Sequence, residues 1–264
     1  MKRGLQRDAI NSFIQSLKKH WMWLALGAVV LIAVLILVIV LVLTSSKGKT
    51  SLQYLQECLS DQTISKDMVD LVIPANHCND KELTMLDLSA FKKLKTLSVN
   101  GNCFGRVQGL TLSGLSHLER VIVGEDSFSK VAGALSIQEC GALRSLSFGD
   151  RSFNGFTRLT LSSLSVLESL TIGSECFNGV NDVQLVGFPA LKTISVGRLA
   201  FAAGMGTFAV KNCDALTEVK IFEGAFGEYN GFEVESLPSL QVLQIDDTYS
   251  APCFPGASLS LQGM

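Results

Sequence analysis

The chain has 264 residues, 47% hydrophobic and 17% charged, with a formal net charge of −2. Residues 1–20 hold five cations against Asp8, a net +4, so the remainder carries −6. Nothing downstream forms the basic face that nucleic acid requires, and no nucleic-acid partner is expected.

Lys2, Arg3, Arg7, Lys18 and Lys19 make residues 1–20 a basic segment, read as a cytoplasmic tail. Residues 21–43 follow, 23 positions without a charge. A helix of that length spans roughly 34 Å at about 1.5 Å per residue, enough for a bilayer core of about 30 Å. Trp21 and Trp23 lie in its first turn, where an interfacial aromatic belt would place them. A cleaved signal peptide would need an apolar stretch of about 7–15 residues and a small-residue cleavage site. The run here is longer and Thr44-Ser45-Ser46 fits such a site poorly, so the expectation is an uncleaved, single-pass signal-anchor. Only Lys47 and Lys49 follow closely. The excess of positive charge before the span therefore predicts a cytoplasmic N-terminus, with the rest of the chain at the cell surface or in a secretory lumen.

Residues 44–66 read as a linker and an N-terminal cap. Leu52, Leu55, Cys58 and Leu59 recur at near-helical spacing and predict a short helix. From residue 67 to 264 the chain repeats. Phe104, Phe128, Phe153, Phe177, Phe201 and Phe226 fall at intervals of 24, 25, 24, 24 and 25 residues. Each closes one phrase, L-x-x-L-x-I-G-x-x-(Ser/Cys/Ala)-F, followed by a second apolar pair such as Val183 and Leu185. A fixed period of this length predicts a solenoid. The alternation of the fourth and sixth places predicts a strand, and stacking successive copies about 4.8 Å apart in parallel register buries its apolar side. The expected fold is mainly β, a parallel-strand solenoid of about 24 residues per repeat with a column of stacked phenylalanines, preceded by one transmembrane helix.

The residue before each Phe is small (Cys103, Ser127, Ser152, Cys176, Ala200, Ala225), which predicts a tight turn. Gly124, Gly149, Gly173 and Gly197 follow the strand, where a positive φ or a close backbone approach is expected. In the copies beginning at Phe128 and Phe201 the second apolar pair arrives one residue later, and Cys140 and Cys213 replace a bulky group. These paired deviations lie 73 residues apart and read as a duplicated three-repeat block. Met68, Leu71 and Ile73 begin a degenerate first repeat in which Cys78 and Asn79 stand where Cys and Phe would. The last copy, at Leu240, Leu243 and Ile245, has Ser250 in the Phe register, and Cys253 and Phe254 arrive late. Tyr249 to Met264 includes Phe254, Leu259 and Leu261 and no charge. The expectation there is an uncovered coil that associates end to end, or an array cut from a longer one.

The repeats resemble leucine-rich repeats. L-x-x-L-x-L-x-x-N-x-L maps onto Leu94, Leu97, Val99, Asn102 and Phe104, although Asp126, Arg151, Glu175, Leu199 and Gly224 replace the Asn afterwards. The I-G-x-x-(small)-F phrase is closest to the BspA-like repeats of surface proteins. That resemblance implies adhesion or protein recognition at a cell surface without a shared catalytic site.

His20, His77 and His117 lack Cys or carboxylate partners at metal-ligand spacing, and no nucleophile elbow, P-loop or dinucleotide fingerprint occurs. No enzyme activity, cofactor or metal is therefore expected. Cys103 and Cys176, like Cys140 and Cys213, share a column three repeats apart, about 14 Å at strand spacing. That exceeds the Cα separation of about 7 Å that a disulfide tolerates. Cys58 and Cys78, flanking the cap, are the pair left for a bridge. On the exposed strand face the second place of successive copies reads Lys95, Glu119, Arg144, Glu168 and Lys192. The fifth place is mostly hydroxyl: Ser98, Ser147, Thr171 and Ser195. Alternating signs can simply avoid repulsion between stacked repeats, or they can form a recognition face for an extracellular protein or glycan. The function expected is non-catalytic binding or adhesion, and the alternative is a structural surface-coat or spacer protein.

Overall fold

The computed structural model describes residues 49–246 and 251–263. The basic tail and the apolar span read at residues 21–43 lie outside them. Among the described residues no helix is long and apolar enough to cross a membrane.

Thr50 opens the first helix described with a reciprocal cap. Its hydroxyl accepts the Gln53 amide at 3.3 Å, and Gln53 Oε1 accepts the Thr50 amide at 2.8 Å. Both orphan donors of the first turn are thereby satisfied, and helix α1 runs over Ser51–Cys58. It turns Leu55, with Leu59 just beyond its end, into the core at 0% exposure. Leu55 packs among Leu71, Ile73, Leu86 and Leu88, the apolar lining of the first coil. A disulfide joins Cys58 to Cys78, Cα atoms 5.1 Å apart.

The solenoid alternates two kinds of strand. One kind comprises β1 (Asp70–Ile73), β3 (Thr96–Val99), β5 (Arg120–Val123), β7 (Ser145–Phe148), β9 (Ser169–Ile172), β11 (Thr193–Val196), β13 (Glu218–Ile221) and β15 (Val242–Ile245). These eight form one parallel sheet in chain order, with Leu71, Leu97, Val121, Leu146, Leu170, Ile194, Val219 and Leu243 in a single register row. The other kind lies on the return path: β2 (Met85–Asp87), β4 (Gly109–Ser113), β6 (Gly133–Gln138) and β8 (Phe156–Ser162), then β10 (Val183–Val186), β12 (Thr207–Lys211), β14 (Gly231–Glu235) and β16 (Ser258–Gln262). Here the pairing stops between β8 and β10, giving two four-stranded sheets. The seam falls at the junction of the two 73-residue blocks. Almost throughout, the Cα atoms of β8 and β10 stand more than 8 Å apart, against about 4.8 Å for paired strands. Leu159 and Leu161 of β8 are consequently only part-buried, while Leu135 and Ile137 of β6 are 1% and 0% exposed.

The phenylalanines stack as a column through the core. Centroid separations from Phe104 to Phe226 are 5.0, 4.7, 5.2, 5.6 and 4.9 Å, with interplanar angles of 20° or less. Phe254 extends the column at 4.9 Å from Phe226. The late arrival of Cys253 and Phe254 is thus an insertion before the turn, and the final coil keeps its ring. At the other end the expected alignment shifts by one residue. Leu71 pairs with Leu97 and the Phe104 amide bonds the His77 carbonyl, so Cys78, not Asn79, holds the aromatic place.

The corners decide between the two alternatives for glycine. Left-handed backbone recurs at each Phe of the column, φ 53–58°, and at the residue two before it: Asn102, Asp126, Arg151, Glu175, Leu199 and Gly224. Such a conformation costs an L-residue about 1–2 kcal/mol, and hydrogen bonds to both neighbouring coils offset it. The Phe128, Phe201 and Phe226 amides each bond the preceding coil at 2.9 Å, to Cys103, Cys176 and Ala200, while Asp126 and Glu175 bond forward to Asp150 and Arg198 at 2.9 and 2.8 Å. Gly124, Gly149, Gly173 and Gly197 are not left-handed; they are small because coils touch there. A Cβ on Gly173 would stand 2.6 Å from the Asp150 nitrogen, and one on Gly197 2.5 Å from the Ser174 nitrogen.

The small residue before each Phe closes the same corner from inside. Cys103 Sγ donates to the Pro74 carbonyl at 3.0 Å, Ser127 Oγ to Asn100 at 2.9 Å, Cys176 Sγ to Gly149 at 3.1 Å and Cys253 Sγ to Phe222 at 3.3 Å. Cys140 and Cys213 repeat one another at the return corner, donating to Leu112 and Leu185, both at 3.7 Å. Burial pushes the Cys176 thiol up to about 11 and raises Cys103, Cys140 and Cys213 as well. Since the thiolate is the reactive form, an aromatic disulfide reagent at pH 8 should find almost no reactive thiol in the native protein. After unfolding it should find five. Rapid stoichiometric reaction of the native protein would contradict the buried columns.

Candidate recognition face

The eight-stranded sheet shows its outward side through the third and fifth places of each repeat. On β7, β9 and β11 all six outward positions are hydroxyls: Ser145 and Ser147, Ser169 and Thr171, Thr193 and Ser195. In-register pairing sets them in a grid three strands wide. Ser169 Oγ donates to Ser145 Oγ at 3.2 Å. Only the fifth-place half of this grid was read from the sequence. The other half follows from the same alternation, because residues two apart on a strand share a face.

The second-place charges border the grid, and the structure divides them into two groups. Glu168 takes Arg144 Nη1 at 2.6 Å on one oxygen and Lys192 Nζ at 2.7 Å on the other. Lys95 and Glu119 form a looser pair at 3.8 Å. The hydrogen bond from Lys192, and then that from Arg144, holds the Glu168 carboxyl below the usual carboxylate range. Both groups are solvated, so the pairs order the side chains more than they stabilise the fold.

A second set of charges sits at the left-handed corner and was not legible as a set. Arg151 grips Asp126 with two parallel bonds, Nε to Oδ1 at 2.8 Å and Nη2 to Oδ2 at 2.7 Å. Two periods on, and one place earlier in the repeat, Arg198 Nη2 pairs with Glu223 at 2.8 Å. The Arg151 hydrogen bond is the main cause that keeps Asp126 acidic. Asp126 and Arg151 stand where an asparagine ladder would run; among the described residues Asn76 and Asn102 form an Asn–Asn pair there, side chain to side chain at 2.6 Å.

On the return side a groove of about 390 Å³ crosses β2, β4 and β6, floored by Gly109, Gly133 and Ala134 and edged by Met85 and Arg158. Among the described residues no group of three or more His, Cys, Asp or Glu side chains converges as a metal site would require. Comparison with protein-family models, curated proteins and solved structures finds no match to the chain.

Proposed function

We propose that the chain is a membrane-anchored ectodomain of leucine-rich-repeat type, closest to the BspA-like kind, that recognises a protein or glycan without catalysis. Residues 21–43 act as the anchor, with the N-terminus cytoplasmic and the repeats at the cell surface or in a secretory lumen. The observation that carries this reading is the hydroxyl grid of β7, β9 and β11 beside the Arg144, Glu168 and Lys192 triad. A rigid plane of donors and acceptors at strand spacing, bordered by both charge signs, suits a polar ligand that spans several repeats. Its backbone is already paired, so little ordering entropy opposes binding.

The ladder also gives the structural-spacer reading its one support, because Glu168 is satisfied by its own neighbours. Binding separates the two. The full chain in detergent micelles should bind saturably to a glycan array or to a panel of immobilised extracellular proteins. Glu168→Lys should weaken that binding about tenfold, which corresponds to about 1.4 kcal/mol. Its thermal midpoint should stay nearly unchanged, since an exposed pair contributes about 0–1 kcal/mol. No saturable binding, or binding indifferent to the reversal, would favour the spacer.

A further inference from the structure

The groove on the return side of the first block is built on one register row. Met85, Gly109, Ala134 and Arg158 stand abreast on β2, β4, β6 and β8. Two long side chains thus flank two small ones, across three strand spacings or roughly 14 Å. Met85 lies over Gly109, where a Cβ would stand 2.5 Å from its Cε. At the other end a bulge sets the geometry. Gly133 pairs with Phe156 and Ala134 with Arg158, which leaves Thr157 as the extra residue. Bulges re-aim side chains, and here the consecutive Thr157 and Arg158 both line the groove. Thr111 and Ser136, in register with each other, form one wall, and Gln108 and Thr157 the other. The second block fills the same row differently. One 73-residue block on, Gly109, Ala134 and Arg158 become Asp182, Thr207 and Gly231. Asp182 Oδ1 accepts the Thr207 amide at 2.8 Å, and the Thr207 hydroxyl lies 2.7 Å from where a Cβ on Gly231 would stand. There the row closes on itself and holds no cation.

We propose that the groove of the first block binds an acidic saccharide. Arg158 holds the carboxylate or sulfate of the sugar, and Gln108, Thr111 and Ser136 take its hydroxyls. None of the residues lining the groove is acidic, so Arg158 faces no countercharge there. Among the described residues, the side chains of Gln108, Thr111, Ser136, Thr157 and Arg158 bond no other group of the protein. A guanidinium presents a planar fork that takes an oxyanion through two parallel bonds. The Met85 thioether and the glycine beneath it offer an apolar patch to the C–H face of a ring. The volume, about 390 Å³, falls within the range of about 300–1,000 Å³ for small-molecule sites. An extended peptide fits less well. The groove crosses the strands, and β4 and β6 are paired on both sides, so they keep no free edge for strand addition. This site lies on a different sheet from the hydroxyl grid, and neither reading depends on the other.

The test titrates the full chain in detergent micelles with glucuronic acid and with glucose 6-sulfate, read by saturation-transfer NMR. Glucose is the neutral control. At least one acid should saturate the site, and glucose should bind about tenfold more weakly or worse. Whichever acid binds identifies the group that Arg158 holds. Arg158→Gln should weaken binding by about tenfold or more, and Arg158→Lys, a cation without the fork, should restore part of it. Ala134→Leu, which fills the floor, should abolish it. Should that variant fold poorly by circular dichroism, the two Arg158 variants, changed only at an exposed side chain, still decide. Saturation by neither acid, glucose binding as well as the acids, or binding indifferent to Arg158→Gln would overturn the proposal. An aspartate-rich peptide that binds through Arg158 while neither acid does would assign the groove to a protein partner, and would overturn it too.

Discussion

Phe177→Ala should lower the unfolding free energy by about 3–5 kcal/mol, the range for aromatic deletion from a core. The ring is fully buried, stacked between Phe153 at 5.2 Å and Phe201 at 5.6 Å, and edge-on to Phe148 at 5.3 Å. Neither neighbour in the column can collapse into the hole, because each is held by its own coil. The comparison with Phe177→Gly is more discriminating than the alanine alone. Residue 177 is left-handed, φ 55°, so alanine keeps the backbone strain while glycine releases about 1 kcal/mol of it. Glycine should therefore cost no more than alanine here, the reverse of the order in an ordinary strand. Urea unfolding of the three proteins measures both differences. A loss below about 1 kcal/mol for alanine would mean that the column is not packed as described.

That left-handed phenylalanine marks where the sequence stopped being readable. The period, the strand alternation and the aromatic column were all legible, because each is a matter of which residue types recur at which distance. The corner was not. Glycine is the usual sign of positive φ, and the chain places its regular glycines at Gly124, Gly149, Gly173 and Gly197, where the need is closeness between coils. The strained positions carry Phe, Asp, Arg, Glu and Leu instead. Hydrogen bonds to adjacent coils sustain that choice, and such partners lie a full period away in the chain. The seam was hidden for the same reason. Leu159 and Leu161 match Val183 and Leu185 in spacing, and nothing local says that β8 and β10 do not pair. The one sign was the 73-residue duplication, which set the block boundary without showing that the sheet would part there.

The candidate face was half legible. Lys95, Glu119, Arg144, Glu168 and Lys192 could be ordered as a ladder from their common place in the repeat. Their division into a triad and a pair could not, since it depends on which long side chains reach across one coil spacing. The corner pair of Arg151 with Asp126 shows the same dependence. It needs a left-handed residue in each of two coils to bring the groups side by side.

Removing the disulfide should have the second large effect, on stability. Cys58→Ser with Cys78→Ser opens a loop whose ends are 20 residues apart, and the loss of such a cross-link costs about 3 kcal/mol. The cost should fall on the cap first. Beside this bridge, α1 is held to the coil by the packing of Leu52, Tyr54 and Leu55 and by the Ser51 hydroxyl, which accepts the Asp87 amide at 2.8 Å. An eight-residue helix is marginal by itself, so the first coil should become accessible well below the main transition. Amide exchange in β1 and β2 should rise while β7 and β9 stay protected, as expected when each coil depends mainly on its neighbours. A double variant that melts like the wild type, or one in which β1 and β2 stay as protected as β7 and β9, would show that the bridge does not hold the cap.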